Sequence, residues 1–511
     1  MTDHDRDEDG EPTDREDLTG DPWYDVTAFE GGDGDARAIQ RAVDAAGEDG
    51  GTVFLPTGEY VVRTAVTMRP GVRVVGAGMG ATTVVAEGEG FAAFEGFGRV
   101  DDPIEDLGFA DLAIDCSGLG GEGYDTGEKC IYLQYVRRCS IERVYAYGAP
   151  ATGIGTDFMV ESLVHGCIAE RNGRFWEPGR IGANGIGIGA GRYDAESVVV
   201  SDCHALDNGN NGVMFEAQGP EGEDAHSGLM KAVGCSAVGN RIGFRDSADR
   251  RVTFLGCSAA ENDESGVVVS GKSDTSFGAR DHRIADCHLV DNSGAGIEVL
   301  DAAEDAALAV DDCTIADNGG CGVRVDAGGP VGGVSITDSA IHGNDGAGVL
   351  HRGGGRDVAV TGCAVHDNAN GIHLDAAGGA YRGITLIGNR CRGSGEGRRR
   401  GIALEGPHTE GVVLGNTLAD VASISYDERP EVLRDNVGYP TEGGGRTTVA
   451  DGDVLNHGLA EEPSTVVLQS TSASRAFPRE VDGEGVVVGL VGPAGEPVEN
   501  PEAVFWEAAV R

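Results

Sequence analysis

Lysine is nearly missing from this sequence. Only Lys129, Lys231 and Lys272 occur in 511 residues, and Lys and Arg together number 39 against 85 Asp and Glu, for a net charge of −46. A surface this acidic repels a phosphate backbone, which argues against sequence-independent binding to nucleic acid. It is tolerated where salt screens it, because at ~1 M salt the Debye length is about 3 Å. The composition therefore points to a halophilic archaeon or one of its viruses, with charge serving solvation. No apolar run is long enough to span a membrane, which excludes membrane insertion. The opening MTDHDRDEDGEPTDREDLTG has no basic region, apolar stretch or twin arginine, so no secretion signal is read there. The expected location is a virion, or the extracellular space reached without a signal peptide; otherwise it is the cytoplasm of a halophile. There is no CxxC, no paired His and no EF-hand spacing among the acidic loops, so neither zinc nor Ca²⁺ has a motif; no cofactor is expected, with Ca²⁺ at the acidic loops left open.

What is abundant is glycine, 85 residues, set in a repeat. Ser197–Ala217 shows its pattern: apolar Val198 and Val200, then Cys203, Ala205, Asn208, Gly212, Val213 and Phe215. Cys and Asn recur as Cys167/Asn172, Cys235/Asn240, Cys257/Asn262, Cys287/Asn292, Cys313/Asn318 and Cys363/Asn368. Ser339/Asn344 has Ser for Cys, and Asn389 and Asn416 mark later copies. Seven steps from Cys167 to Cys363 average 28 residues. A fixed period in the twenties means a solenoid. Apolar residues alternate at period two inside each copy, which is strand. Two short runs parted by Asn and Gly, residues that tolerate left-handed backbone, give coils that stack as a parallel β-helix. Cys then stacks inward as a small apolar residue, and Asn ladders at a bend. Disulfides between neighbouring coils stay open at this point.

The fold class is all-β: a parallel β-helix with an N-terminal capping helix and a small C-terminal β-sandwich-like module. Residues 1–20 form an acidic disordered tail. Residues 21–80 form the cap: Ala38, Ile39, Ala42, Val43 and Ala46 lie on one face of a helix starting near Asp33 or Asp35, followed by strands at 52–55, 60–62 and 72–75. Residues 81–440 are coils, interrupted by Gly-rich excursions at 118–128, 173–183, 218–228 and 271–281. Residues 441–446 read as a linker, and 447–511 as a β module of short strands between Gly/Pro turns.

The opening carries Trp23-Tyr24-Asp25-Val26, Gly34-Asp35-Ala36-Arg37-Ala38-Ile39-Gln40, Gly50-Gly51-Thr52-Val53-Phe54-Leu55-Pro56 and Val72-Arg73-Val74-Val75-Gly76. In these segments the chain resembles the pectate-lyase-like superfamily, which includes pectin-active enzymes, mannuronan C5-epimerases and phage tailspikes. The resemblance implies a right-handed β-helix. The run DGDVLNHGL with the closing VFWEAAV is similar to C-terminal modules of phage tail fibres and spikes. The epimerases carry Tyr-Gly-Phe-Asp-Pro-His two coils in; the matching place here reads Thr152-Gly153-Ile154-Gly155-Thr156-Asp157, without the Tyr, the Asp-Pro or the His.

Polyuronate lyases and epimerases need a cation, a base and an acid; glycoside hydrolases need two carboxylates. The candidate catalytic residues are Asp157, Glu161 and Glu216. Candidate substrate-binding residues are Phe175, Trp176, Arg180, Tyr193 and His226, with Arg192 and Lys231 as further cations. Phe175 and Trp176 stand out as adjacent aromatics in a chain with 5% aromatic residues. His204, His288, His342 and His366 follow the Cys stack and are expected on the outer surface. Three functions fit. The first is a viral spike, a homotrimer held to a particle or baseplate protein by its N-terminal tail, that recognises a host surface glycan and, if an enzyme, degrades it. The second is a cellular polysaccharide lyase, glycoside hydrolase or uronate epimerase. The third is a non-enzymatic structural β-helix.

Overall fold

The computed structural model describes residues 22–29, 34–121, 123–178, 182–192, 196–218, 229–248, 251–270, 280–300, 302, 306–393, 400–420 and 422–510. The acidic tail at 1–20, Asp33, Arg180, Tyr193 and His226 lie outside the described residues.

Each coil has three strands where the repeat suggested two. In the coil of Cys203 they are Ser197–Ser201, His204–Leu206 and Asn211–Ala217. The first two belong to a long ladder that runs the length of the molecule; the third belongs to a second parallel sheet. Strands pair in register with their equivalents one coil on, as Ala205 with Ala237 and Val213 with Phe244. The architecture is a parallel β-helix. Alternation at period two sends Val198, Val200, Cys203, Ala205, Val213 and Phe215 inward, all buried. Each Val or Phe so buried contributes roughly 1.5–3 kcal/mol.

The corners correct one detail of the repeat. The left-handed residue is the one before Cys and the one before Asn: Asp202 and Asp207 (φ 52° each), Asp286 and Asp291, Asp312 and Asp317, with Gly234 and Gly239 in the same places. Asp tolerates this region because its short side chain bonds locally. Asn itself is spared for the ladder. Asn208 Nδ2 donates to Asn240 Oδ1 (2.9 Å) and to the Ala169 carbonyl (3.0 Å), while its Oδ1 accepts the Asn172 backbone N–H (3.0 Å). The chain of amides runs through Asn262, Asn292, Asn318 and Asn344 to Asn368. It resumes at Asn389, Asn416 and Asn436. All twelve cysteines are free thiols, eleven of them buried.

The helix Asp35–Ala46 buries Ala38, Ile39, Ala42, Val43 and Ala46 against the end of the same core. Its N-cap is Gly34, with no side-chain cap; Asp35 is the first helical residue, and its carboxylate accepts the Val61 N–H at 2.7 Å, tying the helix to the strand beside it. At the other end the module is two antiparallel three-stranded sheets. Residues 441–446 are no linker, because Glu442–Val449 is a full strand paired with Glu502–Ala509. One of its glycines packs closely: a Cβ on Gly445 would lie 3.3 Å from the Trp506 indole. Among the described residues no helix is long and apolar enough to cross a membrane.

Candidate functional site

The site lies on the outer face of the second sheet, where register puts two columns of side chains side by side. One column is Tyr132, Gly155, Gly187, Met214 and Arg245; the other is Gln134, Asp157, Gly189, Glu216 and Ser247. Their alternates, such as Ile154, Ile186 and Val213, fill the core. Three glycines in outward positions leave a trench in the sheet surface, with a cavity volume of about 150 Å³. Glycine inside a strand marks close approach of another group, and here those groups are Lys129, Asn184 and Asp157. A Cβ on Gly155 would sit 2.8 Å from Lys129 Cδ, one on Gly187 would sit 2.9 Å from Asn184 Nδ2, and one on Gly189 would sit 2.3 Å from Asp157 Oδ1. The excursion at 118–128 folds back as a wall and brings Tyr124 and Thr126 to the trench.

Lys129 enters from the turn before the Ile131–Arg137 strand, and its ammonium sits 3.3 Å from the centre of the Tyr132 ring. Burial pushes its pKa down to about 8, against the pull of Asp157, Glu216 and Asp125. Gln134 Nε2 donates to Asp157 Oδ2 at 2.9 Å and to the Tyr132 hydroxyl at 3.0 Å. Asp157 is 7% exposed. Burial raises its pKa; Lys129 and the amides of Gln134 and Gln218 oppose that. Gln218 also reaches Glu216, donating to Oε2 at 3.4 Å. Burial pushes the Tyr132 phenol up to about 12, with Asp157 adding and Gln134 opposing. The result is a buried carboxyl with a raised pKa, a second carboxyl two rungs away, an ammonium and a phenol, all opening on one trench. Among the described residues no three His, Cys, Asp or Glu side chains gather to hold a metal.

Of the residues nominated from sequence, Asp157 and Glu216 meet here. Glu161 does not. It is exposed, in a left-handed turn (φ 54°) at the corner between Ile154–Val160 and Ser162–His165. Its N–H donates to Ser197 Oγ at 3.1 Å. Lys231 is exposed on the other ladder, paired with Val199 and Thr253, and Arg192 is exposed at a turn outside the trench. Phe175 and Trp176 are half-buried and outside the trench. Guanidinium groups cover them: Arg174 lies 4.9 Å from the Phe175 ring and Arg241 4.7 Å from Trp176. Two adjacent rings beside arginines gain more from this packing than from exposure. Sequence reasoning missed Lys129, Tyr132, Gln134 and Gln218. The available signal was glycine at alternate strand positions, GIG at 153–155 and GIGIG at 185–189, where side chains normally stand.

The sequence profile of the family described as "Right handed beta helix region" matches residues 122–279, 226–332 and 277–428, more than half of the chain together. The chain belongs to the right-handed β-helix family. A second profile, "Rhamnogalacturonase A/epimerase, pectate lyase-like", matches 27–103 of this β-helix protein, the segment of the capping helix. No curated protein matches it. Among solved structures the β-helix resembles a tailspike of E. coli bacteriophage HK620, crystallised with a hexasaccharide. That likeness has a TM-score of 0.55 at 9% identity, over 95% of this chain and 93% of that one. It also resembles PfbA, a surface adhesin of Streptococcus pneumoniae, at TM-score 0.53 and 15% identity, over 74% and 93%. The A-module of mannuronan C-5 epimerase AlgE6 from Azotobacter vinelandii aligns at TM-score 0.44 and 21% identity, over 81% and 98%. At these identities the shared feature is the fold.

Proposed function

We propose that this β-helix binds a polysaccharide along the glycine-floored trench and cleaves it by hydrolysis, with Asp157 as proton donor and Glu216 as base toward water. The observation that carries this is Asp157, buried with its pKa raised, facing Glu216 across Gly189. Burial raises the Asp157 pKa, which suits a proton donor, and Glu216, two rungs on, is the carboxyl left to act on water. Two rungs separate them, about 9–10 Å along the sheet, near the upper end of the ~6.5–9.5 Å spacing of inverting glycosidases, which leave room for a water. Gln134 and Gln218 hold the Asp157 carboxyl in place, and Tyr132 and Lys129 line the same face. The HK620 tailspike, which has the same fold, is crystallised with a hexasaccharide, and that supports a sugar chain as the ligand.

A second reading is lyase or epimerase chemistry on a uronate. Lys129 favours it: an ammonium beside a phenol can neutralise a sugar carboxylate while Tyr132 donates a proton. Surface and capsular polysaccharides incubated with the protein in high salt separate the two. Hydrolysis yields new reducing ends of inverted configuration, lost in Asp157→Asn and Glu216→Gln. Elimination yields unsaturated ends. Absence of any product from a broad panel refutes both and leaves an adhesin.

The wider context we propose is a spike of a halophile's virus, a homotrimer that docks on a host surface glycan. The charge of −46 with three lysines supports the saline setting, and the tailspike likeness supports the spike. Sedimentation in high salt tests it: trimers support it, and a clean monomer removes it.

A further inference from the structure

One rung past Glu216, outside the residues that line the trench, the neighbouring column carries an arginine with an unusual environment. Arg245 is the outward residue one rung after Met214, and it is half-buried. Its neighbours are hydroxyls: Nε donates to Ser247 Oγ at 3.0 Å and Nη2 to Ser270 Oγ at 3.3 Å, and the two hydroxyls lie 3.0 Å apart. No carboxylate among the described residues pairs with it. Other arginines of this face are neutralised. Arg241 binds Glu264 at 2.8 Å, Arg324 binds Asp326 at 2.9 Å and Glu298 at 3.2 Å, and Arg352 binds Asp375 at 3.1 Å. In a chain with 85 acidic residues, a half-buried guanidinium held only by two serines is the exception. Burial lowers its pKa and so does the nearby Arg241; Glu216 and Glu264 act the other way without contact. A desolvated cation is costly unless an anion completes it. Its fork of donors suits an oxyanion of carboxylate or sulfate shape. At the opposite end Phe97 pairs with Gln134, is 48% exposed, and meets Tyr132 edge-on at 5.0 Å. An aromatic platform one rung before the trench and a cation one rung after it give this face a direction.

We propose that Arg245 is a specificity-determining anion subsite of the trench, which takes the carboxylate or sulfate of a sugar unit bound beyond Glu216, so that the polysaccharide is an acidic one lying along the helix axis. This rests on the trench being the glycan site. From the Asp157 rung to Arg245 is three rungs, about 14 Å, so the charged unit sits a few sugars from the cleaved bond and Phe97 stacks an uncharged ring face. Because Arg245 is half-buried, salt screens this contact less than it screens an exposed pair. That matters for a protein whose surface charge calls for brine.

The test uses the full chain with polygalacturonate oligomers, the same oligomers after carboxyl reduction, and a sulfated oligosaccharide. Binding and, where product forms, KM are measured for wild type, Arg245→Gln and Arg245→Lys. Wild type prefers the acidic chains over the reduced one. Arg245→Gln shrinks that preference about 10- to 100-fold, the weight of a charge-assisted contact, and Arg245→Lys restores part of it. Preference for carboxylate over sulfate, or the reverse, names the substituent. The inference is overturned if neither acidic probe is preferred over the reduced chain, or if Arg245→Gln leaves the preference unchanged. It stands without the hydrolytic reading if Arg245-dependent binding is seen and Asp157→Asn alters no product. The hydrolytic reading stands without it if product forms with no Arg245-dependent preference.

Discussion

Lys129 is a buried ammonium that costs the fold stability, and the size of that cost follows from its surroundings. An ordinary lysine titrates near 10.5, and in the trench burial lowers this to about 8. At roughly 1.4 kcal/mol per pH unit, holding the charged form at neutral pH costs the fold about 3 kcal/mol relative to an exposed lysine. The sign of the pH effect follows. Between pH 8 and 10.5 the unfolded chain keeps a proton that the folded chain has released. Unfolding therefore takes up a proton, and stability from this group rises with pH across that window. Lys129→Met removes the term. The variant is expected to be more stable than wild type at pH 7, by at most about 3 kcal/mol, with part of the gain cancelled because Asp157 and Glu216 lose their counter-charge. Its advantage should shrink from pH 8 to pH 10.5 as wild type catches up. Paired denaturant titrations in high salt at several pH values read this difference directly, since all other groups are common to both proteins. A variant less stable than wild type at pH 7, or a difference that does not narrow with pH, refutes the reasoning. Lys129 would then be a net stabiliser and not a cation kept for the trench.

Other expectations concern the scaffold and the trench floor. Asn262→Ala strips the Asn240 N–H and the Ala237 carbonyl of their buried partner and should cost roughly 2–6 kcal/mol; a loss under 1 kcal/mol in denaturant titration would show the ladder to be ornamental. Cys257→Ser should cost no more than about 1.5 kcal/mol, because Ser339 already fills the equivalent place, donating to the Thr337 carbonyl at 2.8 Å and accepting the Cys313 N–H at 3.1 Å. Gly189→Ala puts a methyl where Asp157 Oδ1 now lies 2.3 Å away, so it should remove activity while costing the fold only about 1–3 kcal/mol; unchanged turnover would displace Asp157 from its role. Burial pushes the Cys139 and Cys391 thiols up to about 12, so thiol reagents should label the native protein slowly and the unfolded protein fast; rapid native labelling would contradict the closed core.

The scaffold could be read from the chain because each coil repeats one local rule. Val198, Cys203 and Asn208 recur with the same neighbours, and the helix face of Ile39 and Val43 needs only a period of 3.6 to be seen. The three-strand coil was less clear. His204–Leu206 is three residues long, and the break before it is a left-handed Asp202 rather than a Gly or Pro. The linker expected at 441–446 failed for a related reason: its partner is the strand Glu502–Ala509, far along the chain, and local composition carries no trace of that partner.

The trench was hidden more deeply. Asp157 and Glu216 are two acids among 85, and what separates them from the rest is the company they keep. Lys129, Gln134, Asp157, Gly189 and Glu216 come from four successive coils, and spacing between coils varies from 20 to 36 residues at the Asn ladder. Sequence alone determined the fold class, the inward faces, the capping helix and the acidic surface, since each depends on periodicity or on summed composition. Tertiary structure alone decided which outward side chains face one another, because register across coils of unequal length sets that. It likewise decided which charges are desolvated, because burial is a property of neighbours and not of residue type.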